Sequence, residues 1–149
     1  MKPTQLTELK TLERLIEHGR GHLQAREVRR IHVAGGVSFP VYAIAMGSPD
    51  RHHPAVGYFG GVHGLERIGV EVVISFLQHI VTRLAWDAAL HRLLDQVRLV
   101  FMPIVNPGGM WAATRANPRG VDLMRNAPVE AREKVPYLMG GQRLSAGLP

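Results

Sequence analysis

Two stretches of this chain hold residue types that do chemistry at useful spacing. The first is Gly60-Gly61-Val62-His63-Gly64-Leu65-Glu66. An imidazole and a carboxylate three residues apart across a turn can converge on one cation, and neutral imidazole with carboxylate suits zinc. The glycines let backbone approach a metal or a substrate. The alternative is a loop histidine followed by a first-turn glutamate that the helix dipole favours. His-x-x-Glu by itself does not separate the two.

The second stretch begins at Asn106-Pro107-Gly108-Gly109 and continues through Arg115-Ala116-Asn117-Pro118-Arg119-Gly120-Val121-Asp122-Leu123-Met124-Arg125-Asn126. A polar loop carrying separated arginines after a strand is a natural place to hold a carbonyl oxygen and a carboxylate. The planar guanidinium matches a carboxylate bidentately, and a fixed cation stabilises a developing oxyanion. Taken singly, Arg115 or Arg125 reads more readily as a surface arginine.

These residues need a scaffold, and the hydrophobic pattern supplies one. Leu6, Leu9, Leu12, Leu15 and Ile16 recur at helical spacing, so a surface helix is expected from about Thr4 to His18, ended by Gly19. Glu27 to Val33 and Phe39 to Met46 read as strands of a hairpin turning through Gly35-Gly36. Ala55 to Gly61 is a short apolar strand running into the first stretch. The strongest helix follows, with Val73, Phe76, Leu77, Ile80, Val81 and Leu84 on one face. Trp86 to Gln96 reads as a second helix that packs Trp86, and Val97 to Pro103 as a buried central strand. The periodicity then fades over residues 106 to 149, an unusually long structureless stretch for a compact domain. The expected fold is α/β, a three-layer sandwich whose mixed sheet has a mostly parallel centre and an antiparallel N-terminal edge. His-x-x-Glu would then lie at the carboxyl ends of strands, where open α/β sheets bind ligands.

With both stretches in view, residues 55 to 126 resemble the zinc metallocarboxypeptidases of the carboxypeptidase A and B type. That family carries His-x-x-Glu at a strand end, then Asn-Pro-Asp-Gly, then Arg ahead of Gly-Val-Asp-Leu-Asn-Arg-Asn. The resemblance implies zinc as cofactor, with His63 and Glu66 as its first two ligands. It implies that Arg115 polarises the scissile carbonyl and stabilises the oxyanion. Arg125, with Asn126, would grip the terminal carboxylate of a peptide or acyl-amino-acid substrate. Asp122 would accept the second ring N–H of His63, which fixes the tautomer; its plain alternative is a turn-stabilising Asx residue.

The match has departures. Met124 stands where the family carries Asn, and a thioether donates no hydrogen bond. Gly108 replaces the Asp of Asn-Pro-Asp-Gly. The family's third zinc ligand is a downstream His, yet the last histidine here is His91. Its general base is a Glu further on, whereas Glu130 and Glu133 follow the arginine loop too closely. The sequence therefore reads as one truncated catalytic domain over residues 1 to 149, incomplete at its C-terminus.

Composition narrows the alternatives. The chain has 149 residues, 46% hydrophobic and 20% charged, with no cysteine, so any metal must be held by His and carboxylate. The net charge of +6 is scattered apart from Arg26, Arg29 and Arg30, and no aromatic residues interleave with them. A nucleic-acid partner is therefore not expected. The N-terminus lacks the apolar core of a signal peptide, and no run approaches the ~18 apolar residues of a membrane span. The cytoplasm is the default location and no membrane partner is expected. Oligomeric state is open, although a sheet edge exposed by truncation tends to associate. Hydrolysis of an amide bond beside a carboxylate-bearing residue is the leading expectation. The alternatives are an N-acyl amino acid deacylase of the aspartoacylase or desuccinylase kind, and a non-catalytic remnant or binding module.

Overall fold

A computed structural model describes residues 5–126. Glu130, Glu133 and the closing residues 127–149 lie outside them, as does the expected helix start at Thr4.

Helix α1, Thr7–His18, forms where the leucine spacing requires it, and Leu9, Leu12 and Leu15 are buried. Gly19 ends it by donating its N–H to the Leu15 carbonyl at 2.9 Å. Strands β1, Gln24–His32, and β2, Ser38–Gly47, pair antiparallel with a register irregularity between Glu27 and Arg29. They are joined by a 3-10 turn in which Gly35 and Gly36 take φ of 78° and 73°. L side chains rarely tolerate this left-handed region.

Strand β3, Ala55–Phe59, leads through the His63 turn into α2, Arg67–Leu84, and α3, Ala88–Leu94. Strand β4, Arg98–Met102, follows, then the six-residue α4, Pro107–Ala112. The sheet order is β1-β2-β4-β3. The architecture is thus α/β with a mixed sheet and an antiparallel N-terminal edge, as expected. Among the described strands β2–β4 pair antiparallel, with Ile44 opposite Phe101, and β3–β4 pair parallel. The chain passes from β2 to the outer strand β3. The α2–α3 crossover, the kind of connection parallel neighbours require, then returns β4 to the position between them.

The apolar face of α2 also differs from expectation. Val70, Ile74, Leu77, Ile80, Val81 and Leu84 are buried, while Phe76 turns partly outward. Phe76 instead joins an aromatic cluster: Tyr58 meets it edge-on at 4.9 Å and stacks on Phe101 at 5.0 Å. Trp86 does not pack in a helix. Asp87 caps α3 by accepting from the N–H groups of Ala89 and Leu90, so the helix starts after Trp86 and leaves it exposed. Ile44 and Phe101 are fully buried at the centre of the core. Each contributes about 2–3 kcal/mol through removal of apolar surface from water. Among the described residues no single helix is long and apolar enough to cross a membrane.

Candidate active site

The parallel pair β3–β4 delivers both halves of the site to one end of the sheet. Gly60 donates to the Met102 carbonyl at 3.0 Å, while Val105 and Asn106 donate to the carbonyls of Gly60 and Gly61 at 3.0 and 2.9 Å. The backbones run so close that a Cβ on Gly60 would stand 2.7 Å from the Pro103 carbonyl oxygen. Gly61, with φ of 63°, turns the chain out of the sheet. A tight turn follows in which Glu66 N–H meets the His63 carbonyl at 3.1 Å.

His63 is buried and its two ring nitrogens face different groups. Nδ1 lies 3.0 Å from Oε1 of Glu66, whose side chain is 60% exposed. Nε2 finds no hydrogen bond and points toward Oδ1 of Asp122 at 3.5 Å. Asp122 has no exposed surface. Its Oδ2 accepts from Nε of Arg115 at 2.7 Å, with Nε of Arg125 at 3.6 Å. Its Oδ1 accepts from the backbone N–H groups of Met124 and Arg125 at 3.0 and 3.1 Å. Burial alone would push this carboxyl up. The bonds from Arg115 and the Arg125 backbone, with the positive charges nearby, outweigh burial and hold it below the ordinary carboxylate value. Asp122 therefore both stabilises its own turn and faces His63. Nη1 of Arg115 reaches Oε1 of Glu66 at 3.3 Å and closes the cluster.

His63, Glu66, Arg115 and Asp122 thus form one connected group, with Arg125 attached through Asp122. Asn126 stands apart in character. It is fully buried, and its amide donates to the Asp122 carbonyl at 2.9 Å. In this arrangement its amide holds the turn that carries Asp122, and its Oδ1 is buried without a hydrogen-bond partner among the described residues.

Sequence reading named Asn106 only within the Asn-Pro-Gly-Gly stretch and gave it no role of its own; it is 3% exposed. Its Nδ2 donates to the Val62 carbonyl at 3.2 Å and its Oδ1 caps α4 by accepting from Gly109 at 2.8 Å. One side chain therefore ties the backbone before His63 to the start of α4. Asn followed by Pro at the first helical position was the available signal. Gly64 and Gly109 press together here: a Cβ on Gly64 would lie 2.0 Å from the Gly109 carbonyl carbon. The glycine at position 108 has a packing reason too, since a Cβ there would stand 2.3 Å from the Pro118 ring.

The donor set can be tested against a zinc ion. Two ligand atoms on a tetrahedral zinc at ~2.0–2.1 Å lie roughly 3.3 Å apart, and Nδ1 of His63 stands 3.0 Å from Oε1 of Glu66. These two atoms fit as half of a site. Among the described residues no group of three or more His, Asp, Glu or Cys is placed to hold a metal.

The zinc carboxypeptidase family model matches residues 24–137, more than half of the chain. This chain belongs to the zinc carboxypeptidase family. Within that family, it is 31% identical over 93 residues to carboxypeptidase SOL1 of Arabidopsis thaliana, covering 60% of this chain and 19% of that protein. It is 27% identical over 101 residues to carboxypeptidase M of Mus musculus, covering 59% and 23%. The fold matches a metallo-carboxypeptidase from Burkholderia cenocepacia with a TM-score of 0.62 at 19% identity, covering 78% of this chain and 31% of that one. A metallo-carboxypeptidase from Pseudomonas aeruginosa, in complex with (2-guanidinoethylmercapto)succinic acid, matches with a TM-score of 0.52 at 20% identity, covering 76% and 30%. This zinc carboxypeptidase-family chain spans about a fifth of the length of these curated relatives.

Proposed function

We propose that this chain carries the first half of the site of a zinc-dependent hydrolase, one that cleaves a peptide or amide bond beside a carboxylate-bearing residue. The 3.0 Å approach of His63 Nδ1 to Glu66 Oε1, inside a cluster that also contains Arg115 and Asp122, carries this reading. His63 and Glu66 are the residues that would hold zinc, which when bound lowers the pKa of water toward ~7 and polarises a carbonyl. Asp122 faces the His63 ring from the opposite side and anchors both arginines. Arg115, 30% exposed at its side chain, donates to the carbonyl oxygen as negative charge develops on it. Arg125 pairs with the substrate carboxylate. Among the described residues only these two donors converge, and a site of two donors binds zinc weakly, because catalytic zinc sites hold three protein ligands plus water.

Met124 favours a second reading within the same chemistry. Its side chain is exposed and its backbone N–H is committed to Asp122. It thus offers no side-chain donor to a substrate carboxylate, so the N-acyl amino acid deacylase reading stands beside the peptidase one.

The test is competitive zinc titration against a chromogenic chelator, using the wild-type chain, His63→Ala and Glu66→Gln. Each substitution is expected to weaken binding tenfold or more, about 1.4 kcal/mol or above. Equal affinity in all three would overturn the assignment. Assays of a blocked dipeptide beside an N-acyl amino acid then separate peptidase from deacylase. Zinc binding without hydrolysis of either substrate supports a binding module.

A further inference from the structure

Helix α2 begins without a cap from its own flanking residue. Glu66, just ahead of the helix, takes φ of −91° and ψ of 67° and makes no side-chain bond to the helix amides. Its carboxylate is turned instead toward Nδ1 of His63 and Nη1 of Arg115. A glutamate used this way leaves the junction between the His63 turn and α2 to be held by other groups. The next residue supplies one. Nε of Arg67 lies 3.2 Å from Oε1 of Glu8 on α1. The two ends of this pair are unlike, the Arg67 side chain being 48% exposed and that of Glu8 only 10%. Glu8 stands between the buried Leu6 and Leu9, and its Oε2 is buried with no hydrogen-bond partner among the described residues. An acidic residue in the first turn of α1 has an ordinary explanation, since it complements the positive end of the helix. That explanation serves a solvated carboxylate and gives no reason for burial. A buried carboxylate is costly unless a cation compensates, and Arg67 is that cation.

We propose that Glu8 is a positioning residue for Glu66. Acting through Arg67, it fixes where α2 begins and therefore where the Glu66 carboxylate stands relative to His63. This role rests on His63 and Glu66 serving as the metal donors. Arg67 is joined to Glu66 by one planar peptide, so few soft dihedrals separate the two residues and a displacement of one is passed to the other. Glu8 is fixed on its side by the buried leucines of α1. Helix α1 thus supports the site while touching none of its chemistry. Donor groups must be held to within about 0.5 Å to act together, which is the task of such outer supports.

A double-mutant cycle on zinc affinity of the full 149-residue chain tests this, with Glu8→Met, Arg67→Met and the double variant. Glu8→Met removes the buried charge and leaves Arg67 half-exposed to water, so the fold is expected to persist, checked by circular dichroism. Each single substitution is expected to weaken zinc binding about threefold to tenfold, less than the ~10–100-fold of a group bonded directly to a metal ligand. The double variant is expected to be no weaker than the weaker single, because both changes remove one pair. Glu13→Gln is the control, on the same helix but paired with the Tyr42 hydroxyl of β2, and its zinc affinity is expected to match wild type. Unchanged affinity in Glu8→Met, additive losses in the double variant, or an equal loss in Glu13→Gln overturns the proposal. His63→Ala separates this outcome from failure of the metal assignment. If His63→Ala binds zinc as wild type does, that assignment falls, and hydrogen exchange of the metal-free chain decides the role of Glu8. The amides of residues 70–72 close the first turn of α2. They are expected to lose protection about threefold or more in Glu8→Met and Arg67→Met but not in Glu13→Gln, and unchanged protection there overturns the proposal.

Discussion

The buried carboxylate of Asp122 faces Nε2 of His63 at 3.5 Å, on the opposite side of the ring from Glu66. The same carboxylate neutralises Arg115 and receives two backbone N–H groups. Removing it leaves the two backbone N–H groups of the turn without their acceptor and Arg115 with Glu66 alone. Asp122→Ala is expected to cost about 3 kcal/mol or more, the typical penalty for deleting one member of a buried charged pair. Asp122→Asn retains an acceptor for the turn and is expected to cost less. Urea denaturation measures both, and a loss below about 1 kcal/mol for the alanine variant would show that the turn does not depend on this carboxylate.

Two glycines near the site are expected to respond in opposite directions to alanine. Gly64→Ala drives a methyl group into the Gly109 backbone, which has no flexible end to yield. A loss of about 2–3 kcal/mol is expected, the upper part of the overpacking range. Gly69 lies in α2 with nothing within 4 Å of the added carbon. Gly69→Ala is therefore expected to gain about 0.5 kcal/mol from helix propensity. Thermal melts of the pair suffice.

Helix α4 ends at Ala113, whose φ of 53° places a residue with a Cβ in the left-handed region. Ala113→Gly is expected to stabilise the chain by about 1 kcal/mol by removing that strain. A lower melting temperature for the glycine variant would show that the Ala113 methyl is needed for packing.

The cap of α3 gives a pH dependence. The carboxyl of Asp87 is held below its ordinary value by the Leu90 N–H, then by Arg83 and the Ala89 N–H. A lowered pKa in the folded state means its stabilisation is fully present above the unfolded value of about 3.9 and is lost as pH falls through the folded value. Asp87→Asn is expected to melt below wild type at neutral pH, and the difference to shrink below about pH 4. A pH-independent difference would mean that the charge of Asp87 contributes nothing.

The elements that sequence patterning revealed are those with their own periodicity. Helices α1 and α2 and strand β2 each show a run or a stripe that burial explains, whereas β1 and β3 are largely exposed and were marked by strand-length runs ending in glycines. Helix α4 escaped because Pro107, Gly108 and Gly109 have no periodicity. It is fixed by the Asn106 cap and the left-handed Ala113. The order β1-β2-β4-β3 is a property of the crossover and leaves no mark on β2 or β4 taken singly. Phe76 was assigned to the core of α2 because it is large and apolar. Its partner proved to be Tyr58 on a neighbouring strand, which helical spacing does not encode. In the site, His63, Glu66, Arg115 and Asp122 were legible through residue type and order. Asn106 was not, because its role is a bond to a carbonyl 44 residues earlier.

The parallel pairing of β3 with β4 has a kinetic consequence. Glu66 and Arg115 meet across 49 residues, and the contact must wait for both crossover helices to form and dock. Closing so long a loop costs entropy before any contact compensates for it, and non-local pairings of this kind fold slowly. During synthesis the imidazole and its neighbouring carboxylate emerge well before the guanidinium and the buried aspartate that complete the cluster. The cluster of Glu66, Arg115 and Asp122 is then among the last features to mature, and its assembly during refolding is a clock for completion of the sheet.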